Sequence, residues 1–402
     1  MRNPKISLIK TRLKSNSGII LLIVLWVLVV LTLLTVSLGR NTHIELSLTK
    51  YAVGQLKAKY VAWAGLSYAI HQIKLDSQDE SSKMMDTLYH CGLRADRQKT
   101  PKELFQNRPL GGKGHFSIQY LQPSSDSREE IETTEMGETY EGNISQTVLY
   151  KEAAQMYFKV YDGFQDQERL INVNAITSQN RGVLSALIEL LGFEESAAQT
   201  IAYSVVDWKD EDSALSHDSY GAEHDYYNGL TPSYQCKNHP FDSKEELLLV
   251  RGITKEIFRK IKHYVTIFPK EGNTLRINFD TSPEVVLKAL ARSASGSFTN
   301  TETGDADSLV DKILEYRRGD DALEFTGDDR PVELNLIPLN AKERVIFLNM
   351  NPYRTRVSNY LRVCVQGVEE NSSSEFNLEA VIRRQDLAIV DWHTGQAAEA
   401  KE

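Results

Sequence analysis

The sequence predicts an α+β protein. A long N-terminal helix, transmembrane and then amphipathic, packs on an antiparallel sheet, and a large, mostly helical domain is inserted in the head. Three observations predict this. An uncharged apolar run stands near the start; short alternating stretches flank the middle of the chain; the middle itself has helical periodicity with caps. A chain of 402 residues has room for two or three such units.

The leader comes first. Residues 1–18 hold five Lys/Arg and no acid, and Ile19 to Leu38 follows without a charge. As a helix, twenty residues span roughly 30 Å, the thickness of a bilayer's hydrocarbon core. The basic stub is expected on the cytoplasmic side, with the bulk of the chain facing outward. Ser37-Leu38-Gly39 loosely fits a secretory cleavage site, which would start the mature chain at Arg40. Periodicity continues past the membrane stretch. Val53, Leu56, Tyr60, Trp63, Ile70 and Ile73 recur mostly at three- and four-residue steps, and no Pro interrupts Ile19 to Leu75. One long helix is expected over 19–75, laying that apolar stripe on something downstream.

The head follows. "HFSIQYL" (His115 to Leu121) and "MYFKVYD" (Met156 to Asp162) alternate as strands do, and the polar, acidic segment 122–155 between them reads as a solvated loop. Near the end, "SNYLRVCVQG", "EFNLEAVIRR" and "AIVDW" read as a three-stranded meander. The domain plan is therefore a leader over 1–18, the helix over 19–75, a first head part over 76–166, the insertion over 167–350, closing strands over 351–393 and a tail over 394–402.

The insertion reads as a diverged duplication. "LINVNAITSQNRGVLSALIELLG" is echoed by "RINFDTSPEVVLKALARSASG", each opening on an Ile-Asn pair, Ile171-Asn172 and Ile277-Asn278. "LLLVRGITKEIFRKIKHYV" resembles a helix-hairpin-helix with its turn at Gly252-Ile253. In nucleic-acid-binding versions the turn's amides hold a phosphate; the same hairpin also serves to pack two short helices. The net charge is −9, and about −14 after Gly18, which argues against DNA as the main partner. Three cysteines, Cys91, Cys236 and Cys364, allow one disulfide at most and form no zinc pattern.

Asp207, Asp210, Asp212, Glu223 and Asp225 crowd into nineteen residues, interleaved with Trp208, Tyr220, Tyr226 and Tyr227. Neighbouring carboxylates repel unless water or a cation intervenes. Asp-x-x-Asp-x-Asp puts several oxygens on one turn, as a hard cation with six to eight oxygen ligands requires. A solvated acidic loop and a two-metal hydrolase site are the other readings of these residues.

The N-terminal pattern resembles type IV pilins and the pseudopilins of type II secretion. In them a basic leader ends on Gly and an apolar helix follows, as Gly18 and "IILLIVLWVLVVLTLL" do here. The resemblance implies prepilin peptidase cleavage between Gly18 and Ile19 and methylation of the new amine. Most members carry Glu at the fifth mature position, where this chain has Ile23. That departure narrows the match to the K-type minor pseudopilins (general secretion pathway protein K family). Their acidic loop is worded similarly to Asp207-Trp208, Gly221-Ala222-Glu223, Tyr226-Tyr227 and Asn238 to Leu247 here. The family binds calcium in this loop, so the resemblance assigns Asp207, Asp210, Asp212, Glu223 and Asp225 as metal residues. It also implies I-type and J-type minor pseudopilins as partners, a place at the pseudopilus tip, and an inner-membrane anchor with a periplasmic head. No catalytic residue is assigned, and the chain is expected not to be an enzyme or to bind nucleic acid. The alternative is a membrane-anchored helix-hairpin-helix protein that does bind nucleic acid.

Overall fold

The computed structural model describes residues 17–79, 86, 100–123, 158–272, 274–296, 303–326 and 328–395. Residues 1–16, nearly all of the acidic loop 122–155 and Cys91 lie outside them. Helix α1 runs without a break from Ser17 to Ser77, roughly 90 Å at 1.5 Å per residue. From Ile19 it is long and apolar enough to cross a membrane, and its most apolar stretch is wholly uncovered by the rest of the protein. The hydroxyls of Thr32 and Thr42 donate to the carbonyls of Val29 and Leu38, so polar groups on the apolar rod are satisfied within it.

The second half of α1 lies across an antiparallel sheet. The strands are β1 (Arg108–Pro109), β2 (Gly114–Pro123), β3 (Phe158–Asp162), β4 (Gln165–Asp166), β9 (Tyr360–Glu369), β10 (Ser374–Arg383) and β11 (Ala388–Gly395). Their order is β1-β2-β9-β10-β11, with β3 added to the far half of β2 and β4 to the start of β9. A short helix, α2 (Pro101–Phe105), precedes β1 and is held by a capping box between Thr100 and Glu103. Strand alternation sets the core: Leu361, Val363 and Val365 of β9 and Leu378, Ala380 and Ile382 of β10 turn toward α1.

The face of α1 that meets the sheet is not the stripe of large residues the periodicity suggested. Leu56 and Tyr60 are exposed, and Trp63 and Ile70 are half-buried. The buried face is Ala58, Ala62, Leu66, Ala69 and Ile73, with Gly54 and Gly65 on the same side. Closeness is the reason. A Cβ on Gly367 of β9 would stand 2.4 Å from the Ala62 nitrogen and 2.5 Å from the Ala58 carbonyl oxygen. Backbones approach that closely only where both sides are small.

The chain leaves the sheet after β4 and returns at β9. Between them lie two copies of one unit. In the first, β5 (Ile171–Asn172) pairs in parallel with β6 (Val265–Thr266). Between them come α3 (Gly182–Leu190), α4 (Glu195–Lys209), α5 (His224–Asn228) and α6 (Lys255–Ile261). In the second, β7 (Ile277–Asn278) pairs in parallel with β8 (Arg354–Thr355) around α7 (Glu284–Ala294), α8 (Thr303–Arg317) and α9 (Ala341–Met350). Side chains repeat as well. Asn172 accepts from the Asn174 N–H, and Asn278 from that of Asp280. Asn174 Oδ1 accepts from the Phe241 N–H at 2.7 Å; Asp280 Oδ1 accepts from the Val332 N–H at 2.6 Å. Both copies share one apolar core, from Ile171 and Ile201 to Ile313 and Phe347.

The hairpin at Gly252 differs from expectation. Its first limb is a 3-10 turn, Lys244–Leu249, and only the second limb, α6, is an α-helix. Gly252 has φ +88° and packs on Ile201 and Thr200 of α4, while Ile253, Ile257 and Ile261 are buried. The turn thus joins the core, as a packing hairpin does.

Candidate metal site in the acidic loop

Helix α4 sets the site's floor. Ile201, Ala202, Val205 and Trp208 are buried, which places Asp207 in the last turn at the base of the loop and Asp210 at the C-cap. Trp208 packs edge-on against Tyr227 at 5.0 Å between ring centroids and stacks on Phe241 at 6.5 Å. Trp208 and Tyr227, two of the aromatics interleaved with the acids, are therefore the loop's hydrophobic support, while Tyr226 is exposed.

Asp207 is fully buried and organises the loop. Its Oδ1 accepts from the Ser216 N–H at 3.0 Å and its Oδ2 from the Ala222 N–H at 2.7 Å. Gly221 makes this possible, since a Cβ there would stand 2.4 Å from Asp207 Oδ2. That contact accounts for a glycine in the Gly221-Ala222-Glu223 segment. Burial raises the Asp207 carboxyl above its ordinary range, opposed by the Ser216 and Ala222 bonds.

Asp210, Asp212 and Glu223 converge. Each offers a carboxylate oxygen, and these oxygens lie within 4.8 Å of one another. Glu223 is 5% exposed, and neither of its oxygens has a hydrogen-bond partner; Asp210 Oδ1 is also buried and partnerless. Burial pushes Asp210 up to about 6, with Asp212 and Asp207 adding to the rise. Burial pushes Glu223 up to about 7, with Asp207 and Asp210 adding. Three acids held together, two of them with buried, unsatisfied oxygens, fit a hard cation, which would supply the missing positive partner. Asp212 also accepts from the Ala214 N–H at 2.8 Å, which bends its own loop. Asp225 is exposed in α5 and stands outside the trio.

Sequence reasoning missed Asn238 as an individual residue of the site. Its Nδ2 donates to the Asp212 carbonyl at 2.7 Å, and its Oδ1 is buried without a partner. Its φ of +47° is a conformation that Asn tolerates better than most residues.

The second copy answers the same crowding differently. There Asp320, Asp321, Glu324, Asp328 and Asp329 follow α8, and guanidinium groups stand among them. Arg317 meets Glu324 at 2.7 Å, Arg318 reaches the same carboxylate at 3.3 Å, and Arg330 pairs with Asp320. Asp328 Oδ2 accepts from the Asp320 and Asp321 N–H groups. One copy carries a candidate cation site where the other carries arginines.

The first copy is also where the chain matches a known family model. Residues 169–270 match type II secretion system protein K. These residues are thus similar to that family over about a quarter of the chain. Relatives of that name agree with it. The Aeromonas hydrophila protein K is 38% identical over 93 residues, which is 23% of this chain and 28% of that protein. The Pectobacterium carotovorum protein K is 31% identical over 125 residues, 28% of this chain and 38% of that one. A putative protein K of Escherichia coli K12 is 26% identical over 201 residues, 45% of this chain and 58% of that one. The first two matches thus span well under half of those relatives. The fold carries further. One chain of the GspK–GspI–GspJ complex from the type 2 secretion system of enterotoxigenic E. coli superimposes with a TM-score of 0.54 at 17% identity. The match covers 87% of this chain and 99% of that one. The stretch similar to protein K is thus set in a chain whose fold has a solved counterpart over most of its length.

Proposed function

We propose that the chain is a minor pseudopilin of a bacterial type II secretion system, a structural component and not an enzyme. One observation carries this reading above the others: a match to type II secretion system protein K over residues 169–270, within a chain whose fold is matched over 87% of its length by a chain of the solved GspK–GspI–GspJ complex. The precursor is cut after Gly18 by prepilin peptidase, Ile19 is methylated, and α1 holds the chain in the inner membrane with the head in the periplasm. The uncovered apolar start of α1 and the basic stub before it support that orientation.

The partners are the I-type and J-type minor pseudopilins, met through α1. The chain caps the tip of the pseudopilus and helps initiate its assembly. Two features support the tip. The paired units between β4 and β9 add bulk that would obstruct a subunit stacked above. Ile23 offers no acid to a neighbour's amine. A buried charge is costly unless paired, so this helix suits a position with no neighbour's amine to answer. Calcium at Asp210, Asp212 and Glu223 would hold the acidic loop, with Asp207 shaping the backbone around it.

The experiment is deletion of the gene and complementation with the full chain. The expected result is loss of type II cargo from the medium and its accumulation in the periplasm, restored by the full chain but not by a chain lacking residues 19–75. Normal export in the deletion strain contradicts the role.

A further inference from the structure

The insertion is joined to the head by two short crossings, residues 167–170 between β4 and β5 and residues 356–359 between β8 and β9. Acids gather inside this joint. Asp76 at the end of α1, Asp86 and Asp166 are fully buried, and Glu168 is 4% exposed. Asp86 accepts from the Ser358 N–H on the returning crossing at 3.4 Å, and Asp166 and Glu168 lie at the start of the outgoing one. Two guanidinium groups are buried with them. Arg384 meets Asp86 at 2.9 Å and Asp76 at 3.3 Å, whereas Arg169 faces the Phe325 ring, 5.6 Å from its centroid. Four carboxylates outnumber two buried cations, and a buried charge left unanswered is costly. A proton held within the cluster reduces that excess.

Hydrogen bonds say which acid holds it. Asp166 accepts from the Thr281 hydroxyl at 2.7 Å, the Asn278 amide at 3.0 Å and the Glu168 N–H at 2.7 Å. Asp76 and Asp86 share Arg384. Among the described residues the Glu168 carboxyl receives one bond, from the Asn359 N–H at 3.3 Å. Charged groups face it from several elements. Asp166 and Asp86 add repulsion, and exposed Arg276 attracts. Glu271, Tyr360 and Arg383 line the same cavity of about 290 Å³, with Arg383 already engaged by Asp386 at 2.9 and 2.7 Å. Burial, then Asp166, pushes the Glu168 carboxyl up to about 8. Exposed Arg276 and Glu271 on the cavity wall give water a route to it.

Glu168 also ties the joint together. Its carbonyl accepts from the Asn278 N–H of the second copy at 2.8 Å, and its carboxyl meets Asn359 on the returning crossing. An ionised Glu168 would stand beside Asp166 and Asp86 with no added cation, where charges repel more strongly than in water. We propose that the joint between head and insertion is a proton-operated latch with Glu168 as its titrating group, closed while that carboxyl is neutral and loosened when it ionises. The insertion is then held in one orientation in neutral and acidic surroundings and swings more freely in alkaline ones.

The test measures that orientation in the full chain, held in lipid nanodiscs. A ketone-bearing phenylalanine replaces exposed Lys113 on the head and Leu336, 60% exposed on the insertion, and each carries a spin label. The distance distribution between the labels is expected to be narrow at pH 6 and to broaden at least twofold by about pH 9.5, with the helical circular dichroism unchanged. Glu168→Gln is expected to keep the narrow distribution throughout. Arg276→Gln, a surface change that removes a positive neighbour of Glu168, is expected to move the broadening to higher pH, and it serves as the check if Glu168→Gln folds poorly. A parent distribution that stays the same, broadens only as helix is lost, or broadens equally in Glu168→Gln overturns the latch. Broadening in Arg276→Gln at the parent's pH or below overturns it as well.

Discussion

Gly367 in β9 and Ala62 in α1 meet backbone to backbone: a Cβ on the glycine would stand 2.4 Å from the alanine nitrogen. The membrane rod and the head are joined at this contact. Gly367→Val is expected to lift α1 off the sheet and cost about 1–3 kcal/mol, the usual range for overpacking a closed interface. Gly304→Ala in α8, where nothing lies within 4 Å of the added atom, is expected to change stability by less than about 1 kcal/mol. Denaturant melts of the purified protein check both.

The acidic loop separates shape from charge. Asp207→Ala removes two backbone bonds to a buried carboxylate and is expected to cost about 1.5–3 kcal/mol whether or not calcium is present. Asp212→Asn and Glu223→Gln are expected to leave the apo melting temperature nearly unchanged or raised, and to abolish the rise that calcium brings. In the unmutated protein, chelator is expected to lower the melting temperature and calcium to restore it better than magnesium. An identical melt with chelator and with calcium counts against the metal.

Two glutamates, Glu168 buried and Glu324 half-buried, pull stability in opposite directions with pH. Burial tends to raise Glu324, but Arg317 and Arg318 outweigh it and hold the carboxyl at about 2. A depressed folded value gives stability that is present above the ordinary value near 4.5 and lost as pH falls toward 2. Glu168 is the reverse: burial first, then Asp166, pushes it up to about 8, against the pull of Asn359 and Arg276. Its contribution is complete below 4.5 and lost as pH rises through 8. Glu168→Gln is therefore expected to flatten the fall in melting temperature between pH 5 and pH 8. Glu324→Gln is expected to destabilise at pH 7 and to converge on the parent near pH 2.

The duplicated unit is pinned at equivalent points. Asn174 accepts from the Phe241 N–H and donates to the carbonyls of Phe241 and Ile267. Asp280 keeps the accepting half, and Arg354 donates to the Val332 carbonyl in place of the missing amide. Asn174→Ala strands three buried backbone groups and is expected to cost about 3 kcal/mol or more. Asn174→Asp keeps one bond and is expected to cost less, as chemical denaturation will measure.

Much of this architecture is legible in the sequence because it is local. Alternation in "HFSIQYL" and "SNYLRVCVQG" marks β2 and β9, and an unbroken run without Pro marks α1. The Ile-Asn echo marks the two copies, since Asn172 and Asn278 make the same turn. The buried face of α1 is not legible. Hydropathy weights large residues, whereas the face is chosen by Gly367, some three hundred residues away. The crowding of acids points to the site, and Asp210, Asp212 and Glu223 do converge. Periodicity carries no sign that Asp207 serves the backbone or that Asp225 turns outward, because both depend on how the loop folds back at Gly221.

The central claim is that α1 is trimmed at its start and then kept as an assembly rod. The intact mass and N-terminal residue of the membrane-bound form test it most directly. The account predicts a chain beginning at a methylated Ile19. A chain beginning at Met1, as in a plain anchor, or at Arg40, as after ordinary secretion, would contradict it.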